Sequence, residues 1–353
     1  MLRGDFILLA LGVCNLFSSC NFRDSIAANY FNDEKFRGVE NIEIKNGPGN
    51  ITIQPVEENN NDDTILELEG EEQNEIVINQ EGKKLSIVRL HTPTDEILFK
   101  AKPINITLHV APTVVSFRCK MGRGNFSMDR FVGKIFLDSG SNDVHLSNIT
   151  GPIDLKTGQS KFDIANITGN INIHSGPIEQ GNFQNITGNM IVNSGPIGQS
   201  LFQKITGDID IRTGSILNGN FQNITGNTIV NSGPIGQSLF QNITGNIDIK
   251  ASQFILNLFE IYGHIKVQGK GNCQYKMLTK PSFPIFIQIQ GKDITFNAYL
   301  SGVFKTISNT LKGCNNIKSV LSIVYGNGDV NFCGRLSNST INVNHYRFTP
   351  TFI

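Results

Sequence analysis

Two stretches of this chain are nearly identical and lie thirty-eight residues apart. Residues 185–203 read NITGNMIVNSGPIGQSLFQ, and residues 223–241 read NITGNTIVNSGPIGQSLFQ, with Met190 replaced by Thr228. Units aligned on the NITG turn follow one another at steps of 18 or 19 residues and begin at Asn148, Asn166, Asn185, Lys204, Asn223 and Asn242, with looser units marked by Arg130 upstream and Ile261 downstream. A fixed period of this length is typical of repeat folds, in which each unit packs only against its neighbours.

The units alternate polar and apolar residues with the period of two that β-strands require. The segments NINIH (170–174), DIDIR (208–212) and NIDIK (246–250) show the pattern, and it predicts that Ile171 and Ile173 face inward. One further Ile and a terminal Phe of each unit are predicted to complete the interior: Ile178, Ile197, Ile235, Phe183, Phe202, Phe221, Phe240 and Phe259. Consecutive short strands of this kind pair in parallel. The sequence therefore predicts an all-β chain, a parallel β-solenoid (β-helix) of 18–19-residue coils with β caps at both ends.

The duplicated block contains two coils rather than one. In its MIVN and TIVN segments an Ile, Ile191 or Ile229, occupies the position that is polar in the alternate units. We expect both side chains on the outer surface. The outward polar residues of the other units are Asn172, His174, Asp210, Arg212, Asp248 and Lys250.

Five regions are predicted along the 353 residues. They are a signal peptide at 1–19, a linker at 20–38, an N-terminal β region at 39–129, the repeat solenoid at 130–270 and a C-terminal β region at 271–353. The chain has 30 Lys plus Arg and 30 Asp plus Glu. Because this balance leaves no basic surface for phosphates, we predict no nucleic-acid partner.

The N-terminus resembles a bacterial secretory signal that ends in a lipobox. An apolar stretch at 6–17 is too short to span a membrane, and LFSSC follows at 16–20. The motif predicts lipidation of Cys20, with Cys14 as a competing position and an ordinary cleaved signal as the alternative. The predicted location is therefore the cell envelope or cell surface, with membrane contact through the lipid anchor only.

Four cysteines remain outside the signal: Cys119, Cys273, Cys314 and Cys333. In an exported protein they allow two disulfides with three possible pairings. None forms a CxxC pair, and no His lies at a ligand-like spacing, so the sequence predicts neither a zinc site nor any other cofactor.

A recurring glycine turn suggests a family. It reads NGPGNITI at 46–53, MGRGNFSM at 121–128, SGSNDVHL at 139–146 and YGNGDVNF at 325–332. With EGKKLSIVRL at 81–90, these motifs resemble the bacterial adhesin-like proteins that carry a head GIN domain, and the related adhesin repeat family. The resemblance covers roughly residues 38–345, although SGPIGQSLFQ replaces the usual turn in the middle. It implies a β-solenoid at the cell surface.

Several features have competing interpretations. The glycine turns precede strands rather than helices, which favours corner turns over phosphate-binding loops. Nine N-x-S/T sequons occur, and five of them follow from the NIT of the repeat; we interpret these Asn and Thr as corner residues that hydrogen-bond along the stack rather than as glycosylation sites. The carboxylates most open to an enzymatic interpretation are Asp163, Asp208, Asp210 and Asp248.

No grouping of residues predicts catalysis, so we expect a non-catalytic exported surface protein. Its solenoid would present a repetitive polar face for multivalent contacts with an envelope, host-surface or saccharide ligand. A polysaccharide-processing solenoid enzyme and a purely structural envelope protein are the alternatives.

Overall fold

The computed structural model describes residues 34–56, 63–70, 75–90, 102–263 and 265–269, and the backbone of eight strands between 273 and 345. The described part is all-β. Its N-terminal strands are β1 (Glu34–Arg37), β2 (Asn41–Lys45), β3 (Ile51–Pro55), β4 (Asp63–Glu69), β5 (Ile76–Glu81), β6 (Lys84–Arg89), β7 (Asn105–Val110), β8 (Ser116–Met121), β9 (Gly124–Val132), β10 (Lys134–Ser139) and β11 (Asn142–Thr150).

The strands of the repeats are β12 (Ile153–Thr157), β13 (Ser160–Thr168), β14 (Ile171–Ser175), β15 (Ile178–Thr187), β16 (Met190–Ser194), β17 (Ile197–Thr206), β18 (Ile209–Thr213), β19 (Ile216–Thr225), β20 (Thr228–Ser232), β21 (Ile235–Thr244), β22 (Ile247–Ala251) and β23 (Phe254–Tyr262). The C-terminal strands are β24 (Ile265–Gly269), β25 (Cys273–Thr279), β26 (Ile285–Lys292), β27 (Ile294–Leu300), β28 (Phe304–Ser308), β29 (Ser319–Tyr325), β30 (Gly328–Gly334), β31 (Leu336–Ser337) and β32 (Thr340–His345).

Each coil consists of a short strand followed by a long one. The short strands from β8 to β26 stack in parallel in one sheet. The long strands from β9 to β27 stack in parallel in a second sheet. The predicted parallel β-solenoid is thus confirmed.

Antiparallel strands end both sheets at the N-terminal side and the short-strand sheet at the C-terminal side, whereas the long-strand sheet ends with β32, which pairs in parallel with β27. At the N-terminal side β2 and β3 form a coil that pairs with β8 and β9, and the chain between them is inserted. In that insertion, β4 lies between β1 and β7 in the sheet and pairs antiparallel with both. β5 pairs with β6 as an antiparallel hairpin. At the other side β28, β29 and β30 form an antiparallel meander on β26. Such pairing covers strand edges that would otherwise template association with another chain.

The interior contains continuous ladders of apolar side chains. Ile173, Ile211 and Ile249 are fully buried in one ladder, as predicted, with Val192 and Val230 between them. A second ladder stacks phenylalanine rings, whose centroids lie 4.9 Å, 4.8 Å and 4.4 Å apart along the series Phe183, Phe202, Phe221 and Phe240. Ring stacking of this kind adds to the stabilisation that burial provides.

The prediction that Phe259 faces inward is wrong. Phe240 pairs in register with Leu258, and Phe259 pairs with Gln241 on the outer face. The nineteen-residue coils carry one extra residue near the start of the long strand, where the register shifts at Glu179. The coil of β22 and β23 lacks that residue, so it has eighteen residues and its inward position moves from Phe259 to Leu258.

Glycines at two corners of the coil allow the stack to close. Between short and long strands, an added Cβ at Gly122 would lie 3.0 Å from the backbone of Gly47, and the same column continues through Gly140 and Gly158. The first three glycine motifs therefore occupy one corner. The fourth differs from this pattern, because Tyr325 belongs to β29 and residues 328–332 belong to β30, and these two strands pair antiparallel.

The NITG corner combines a left-handed residue with a second glycine. Asn185 has a φ of 53°, a conformation that Asn tolerates better than most residues, and Gly188 has a φ of 145°. The Nδ2 of Asn185 donates to Oδ1 of Asn166 at 3.0 Å, and Asn166 donates likewise to Asn148 at 3.1 Å. The expected hydrogen bonding along the stack is present for Asn, and Lys204 interrupts the ladder.

Asp129 terminates this asparagine ladder. Its carboxylate accepts hydrogen bonds from Ser147 Oγ at 2.6 Å, Asn148 Nδ2 at 2.7 Å and Arg130 Nε at 2.9 Å. Partial burial acts to raise the pKa of Asp129, but these hydrogen bonds outweigh it, and the pKa lies below its ordinary value of 3.8.

This depressed pKa makes the stabilisation by Asp129 dependent on pH. The contribution of Asp129 to the free energy of unfolding is fully present above pH 3.8, the ordinary pKa. It is lost as the pH falls through the lower pKa of the folded state. The Asp129→Asn variant should therefore be less stable than the wild type at neutral pH, and the difference should vanish in acid. Urea unfolding of both proteins at neutral pH and below 3.8 measures this. A difference that is independent of pH would contradict the assignment.

Cys119 is not one of the disulfide-bonded cysteines that the sequence allows. Its thiol is free and fully buried, stacked between Ile44 and Leu137. Burial and the nearby Asp138 carboxylate raise the pKa of the thiol far above its ordinary value, so it remains protonated. The side chains of Cys273, Cys314 and Cys333 lie outside the described residues.

Candidate binding groove

The outer face of the long strands carries rows of amide side chains that run along the solenoid. One row contains Gln180, Gln199, Asn218 and Gln237, and all four are exposed. Because neighbouring parallel strands lie ~4.8 Å apart, the side chains of a row repeat at that distance.

A second row lies two residues further along each strand. It alternates amide and aliphatic side chains in the order Asn182, Leu201, Asn220, Leu239 and Asn257. All of them are half-buried. Because the duplicated block contains two coils, Leu201 and Leu239 are separated by two strand steps, ~9.6 Å.

These two rows line an open groove of about 870 Å³. The backbone of small buried residues, Gly181, Ser200, Gly219 and Ser238, lines it between the rows. Gln184 lines the groove at the β15 end, and Phe259 lines it at the β23 end. All the lining residues are uncharged, so the groove lining offers hydrogen bonds and apolar contact but no charged side chain.

The amides of the groove keep hydrogen-bonding capacity for a ligand. Gln184 Nε2 donates to Asn182 Oδ1 at 2.6 Å, which uses one of its two amide protons. Asn220 Oδ1 is shielded from solvent and has no partner among the described residues. Buried polar atoms are normally paired, so unpaired ones at a groove call for an explanation.

Phe259 ends the groove as a half-buried aromatic side chain on the outer face. It follows Gln184, Gln203, Gln222 and Gln241 in a third row. The sequence pattern did not predict that Phe259 faces outward, because the FEIYG segment at 259–263 was aligned with the other units by its Phe. Counting back from Gly263 to the left-handed Glu260, whose φ is 51°, gives the correct register.

The short strands present a different outer face. Arg212 Nη2 lies 2.9 Å from Asp210 Oδ2, and Lys266 Nζ lies 3.8 Å from Asp248 Oδ2. As predicted, Ile191 and Ile229 are exposed on this face, at 42% and 39%. The alternation of charged and apolar residues therefore also follows the two-coil repeat.

The structure distributes the four candidate carboxylates over separate places. Asp163 lies on the outer face of a long strand, where Asn182 Nδ2 donates to it at 2.7 Å. Asp208 lies at a corner and accepts from the Asn227 backbone N–H at 2.7 Å. Asp210 and Asp248 lie on the short strands, two coils apart, with Ile229 between them.

A search of the described residues for clusters of His, Cys, Asp and Glu able to hold a metal ion finds none. Cys20, the predicted lipidation site, lies outside the described residues. The described part also contains no helix of the length and apolarity that a membrane crossing requires.

The fold and groove define a parallel β-solenoid repeat protein with an uncharged amide-lined face. No family model, no curated protein and no solved structure matches the chain.

Proposed function

We propose that this chain is an exported, non-catalytic surface protein whose solenoid presents the amide groove for adhesive contacts. The observation that carries the proposal is the regular, uncharged groove held on a stack of coils. Each coil contributes a similar set of weak hydrogen-bond donors and acceptors at a fixed spacing. A ligand with its own repeat can engage several coils together, so that weak contacts add.

The lipobox-like LFSSC segment supplies the anchor in this proposal. Lipidation of Cys20 would hold the chain at a membrane, and the antiparallel strands at the N-terminal end of the stack would limit association through that end. The resemblance of the glycine turns to head GIN adhesin-like proteins supports the same location. Because the buried ladders provide the interior packing, the outer side chains can vary without loss of that packing.

The anchor and the location are tested together in cells that export the full chain. Cys20→Ser should release the protein from membranes into the soluble fraction, while Cys14→Ser should leave it membrane-bound. Protease added to intact cells should degrade the anchored protein. Complete protection from protease would contradict a surface role, and a Cys20→Ser variant that still incorporates fatty acid would contradict the anchor.

A further inference from the structure

We infer that the amide groove binds a neutral glycan chain along the solenoid axis, with Phe259 as a platform for one sugar ring. This inference rests on the proposed adhesive role of the groove and specifies its ligand.

The first argument is the chemistry of the two rows. A sugar hydroxyl both donates and accepts hydrogen bonds, and the amides of Gln and Asn do the same. Gln180, Gln199, Asn218 and Gln237 are exposed at steps of ~4.8 Å, so a chain of hydroxyls along the axis meets a matching group at every coil. Rotation of the half-buried Asn220 side chain would bring its unpaired acceptor oxygen to such a hydroxyl.

The second argument is the absence of charge among the lining residues. A charged ligand would lose water on entering the groove without gaining an opposite charge, which is costly. A neutral polymer avoids that cost. This favours an unsubstituted glycan over a uronate polymer or a charged peptide.

The third argument is the position of the apolar groups. Sugars expose C–H faces, and these pack against aliphatic and aromatic side chains while the hydroxyls at the edge remain hydrogen-bonded. Leu201 and Leu239, which lie ~9.6 Å apart, offer aliphatic contacts, and Phe259 offers an aromatic contact at the β23 end of the groove. From β15 to β23 the groove spans four strand steps, ~19 Å, which accommodates several sugar units.

Titration calorimetry of the full chain with neutral oligosaccharides tests this inference. The probes are oligomers of glucose, mannose, galactose and N-acetylglucosamine, from disaccharides to octasaccharides, with polygalacturonate as the anionic comparison. We expect binding to at least one neutral series, with affinity that rises with length and levels off once the chain spans the groove. Phe259→Ala should weaken that binding about tenfold.

Matched variants on the two outer faces separate the groove from the rest of the surface. Asn218→Ala should weaken binding, whereas Asn231→Ala on the short strands should leave it unchanged. Ile229→Ala, an exposed apolar residue on the short strands, is the control for Phe259→Ala. Each variant should remain folded at the temperature of the assay, and thermal unfolding should show the largest loss for Phe259→Ala, because that ring is half-buried.

The outcomes distinguish this inference from the proposed function. Failure of every neutral series to bind, preference for polygalacturonate, or binding that Phe259→Ala and Asn218→Ala leave intact would overturn the glycan assignment, even if the protein is exposed on cells. Groove-dependent glycan binding by a protein that is protected from protease in cells would instead overturn the surface role and support the glycan site.

Discussion

Deleting residues 204–241 is expected to leave a folded, soluble, all-β protein that lacks two coils. The cut joins Gln203 to Asn242, and the new junction reads SLFQNITG, the sequence found at 238–245 in the native chain. Lys204 and Asn242 both have a φ of 54°, so the corner is rebuilt with the same backbone conformation.

The new interface between coils also repeats an existing one. β22 would stack on β16, placing Ile247 against Met190 and Ile249 against Val192. In the native chain the same residues of β22 face Thr228 and Val230. The hydroxyl of Thr228 is buried without a hydrogen-bond partner among the described residues, and Met190 at that position removes this cost. Because solenoid stability is close to a sum of local terms, the interface should be at least as stable as the one it replaces.

Deleting only residues 204–213 should do far more damage. This cut removes the corner and all of β18 (Ile209–Thr213), so the long strand β19 follows β17 with no return across the coil. The remaining coil cannot stack in register, and polar residues enter the interior. Circular dichroism and thermal unfolding of both variants measure the contrast. If the shorter deletion folds and the longer one does not, the interior is not built coil by coil.

Replacing Ile211 with Asp is the second change with a large expected effect. Ile211 is completely buried, stacked between Val192 and Val230. The substitution removes an apolar side chain from the ladder and places a carboxylate among aliphatic neighbours that cannot pair with it. The expected loss is on the order of 5 kcal/mol in the free energy of unfolding. Chemical unfolding followed by circular dichroism measures it.

The neighbouring Asp210 provides the matched control. Its side chain lies on the outer face, is 25% exposed and forms an ion pair with Arg212, whose side chain is 65% exposed. The ion pair with the exposed Arg212 contributes about 1 kcal/mol at most, and the substitution also removes a carboxylate oxygen that is shielded from solvent without a partner among the described residues, so Asp210→Ala should change stability by less than about 1 kcal/mol. Similar losses for the two variants would mean that the inner and outer faces of the strand are wrongly assigned.

Much of this architecture follows from the amino-acid sequence because the repeat constrains it twice. The step of 19 residues fixes which residues stack, and the alternation fixes which of them face inward. Ile173, Ile211 and Ile249 were predictable for this reason, and so was the exposure of Ile191 and Ile229. Their surroundings repeat so closely that an assignment in one coil holds in the next.

The errors arise where the repeat changes. Phe259 was assigned to the interior because a Phe ends the other units, and the loss of one residue in that coil reverses its face. The N-terminal region could not be predicted for a similar reason. β3 stacks on β9 although an inserted segment separates the two strands in the chain, and the repeat period does not extend across that segment. The groove itself depends on which outer residues of neighbouring long strands share a concave surface, and the alternation alone does not define this.

Small-angle X-ray scattering of the full chain and of the 204–241 deletion variant tests the central claim most directly. If the chain is a stack of independent coils, the deletion shortens the maximum dimension by ~10 Å, two strand steps, and leaves the cross-sectional radius unchanged. A variant that is expanded and unfolded, or one whose cross-section shrinks while its length is kept, would contradict the solenoid account.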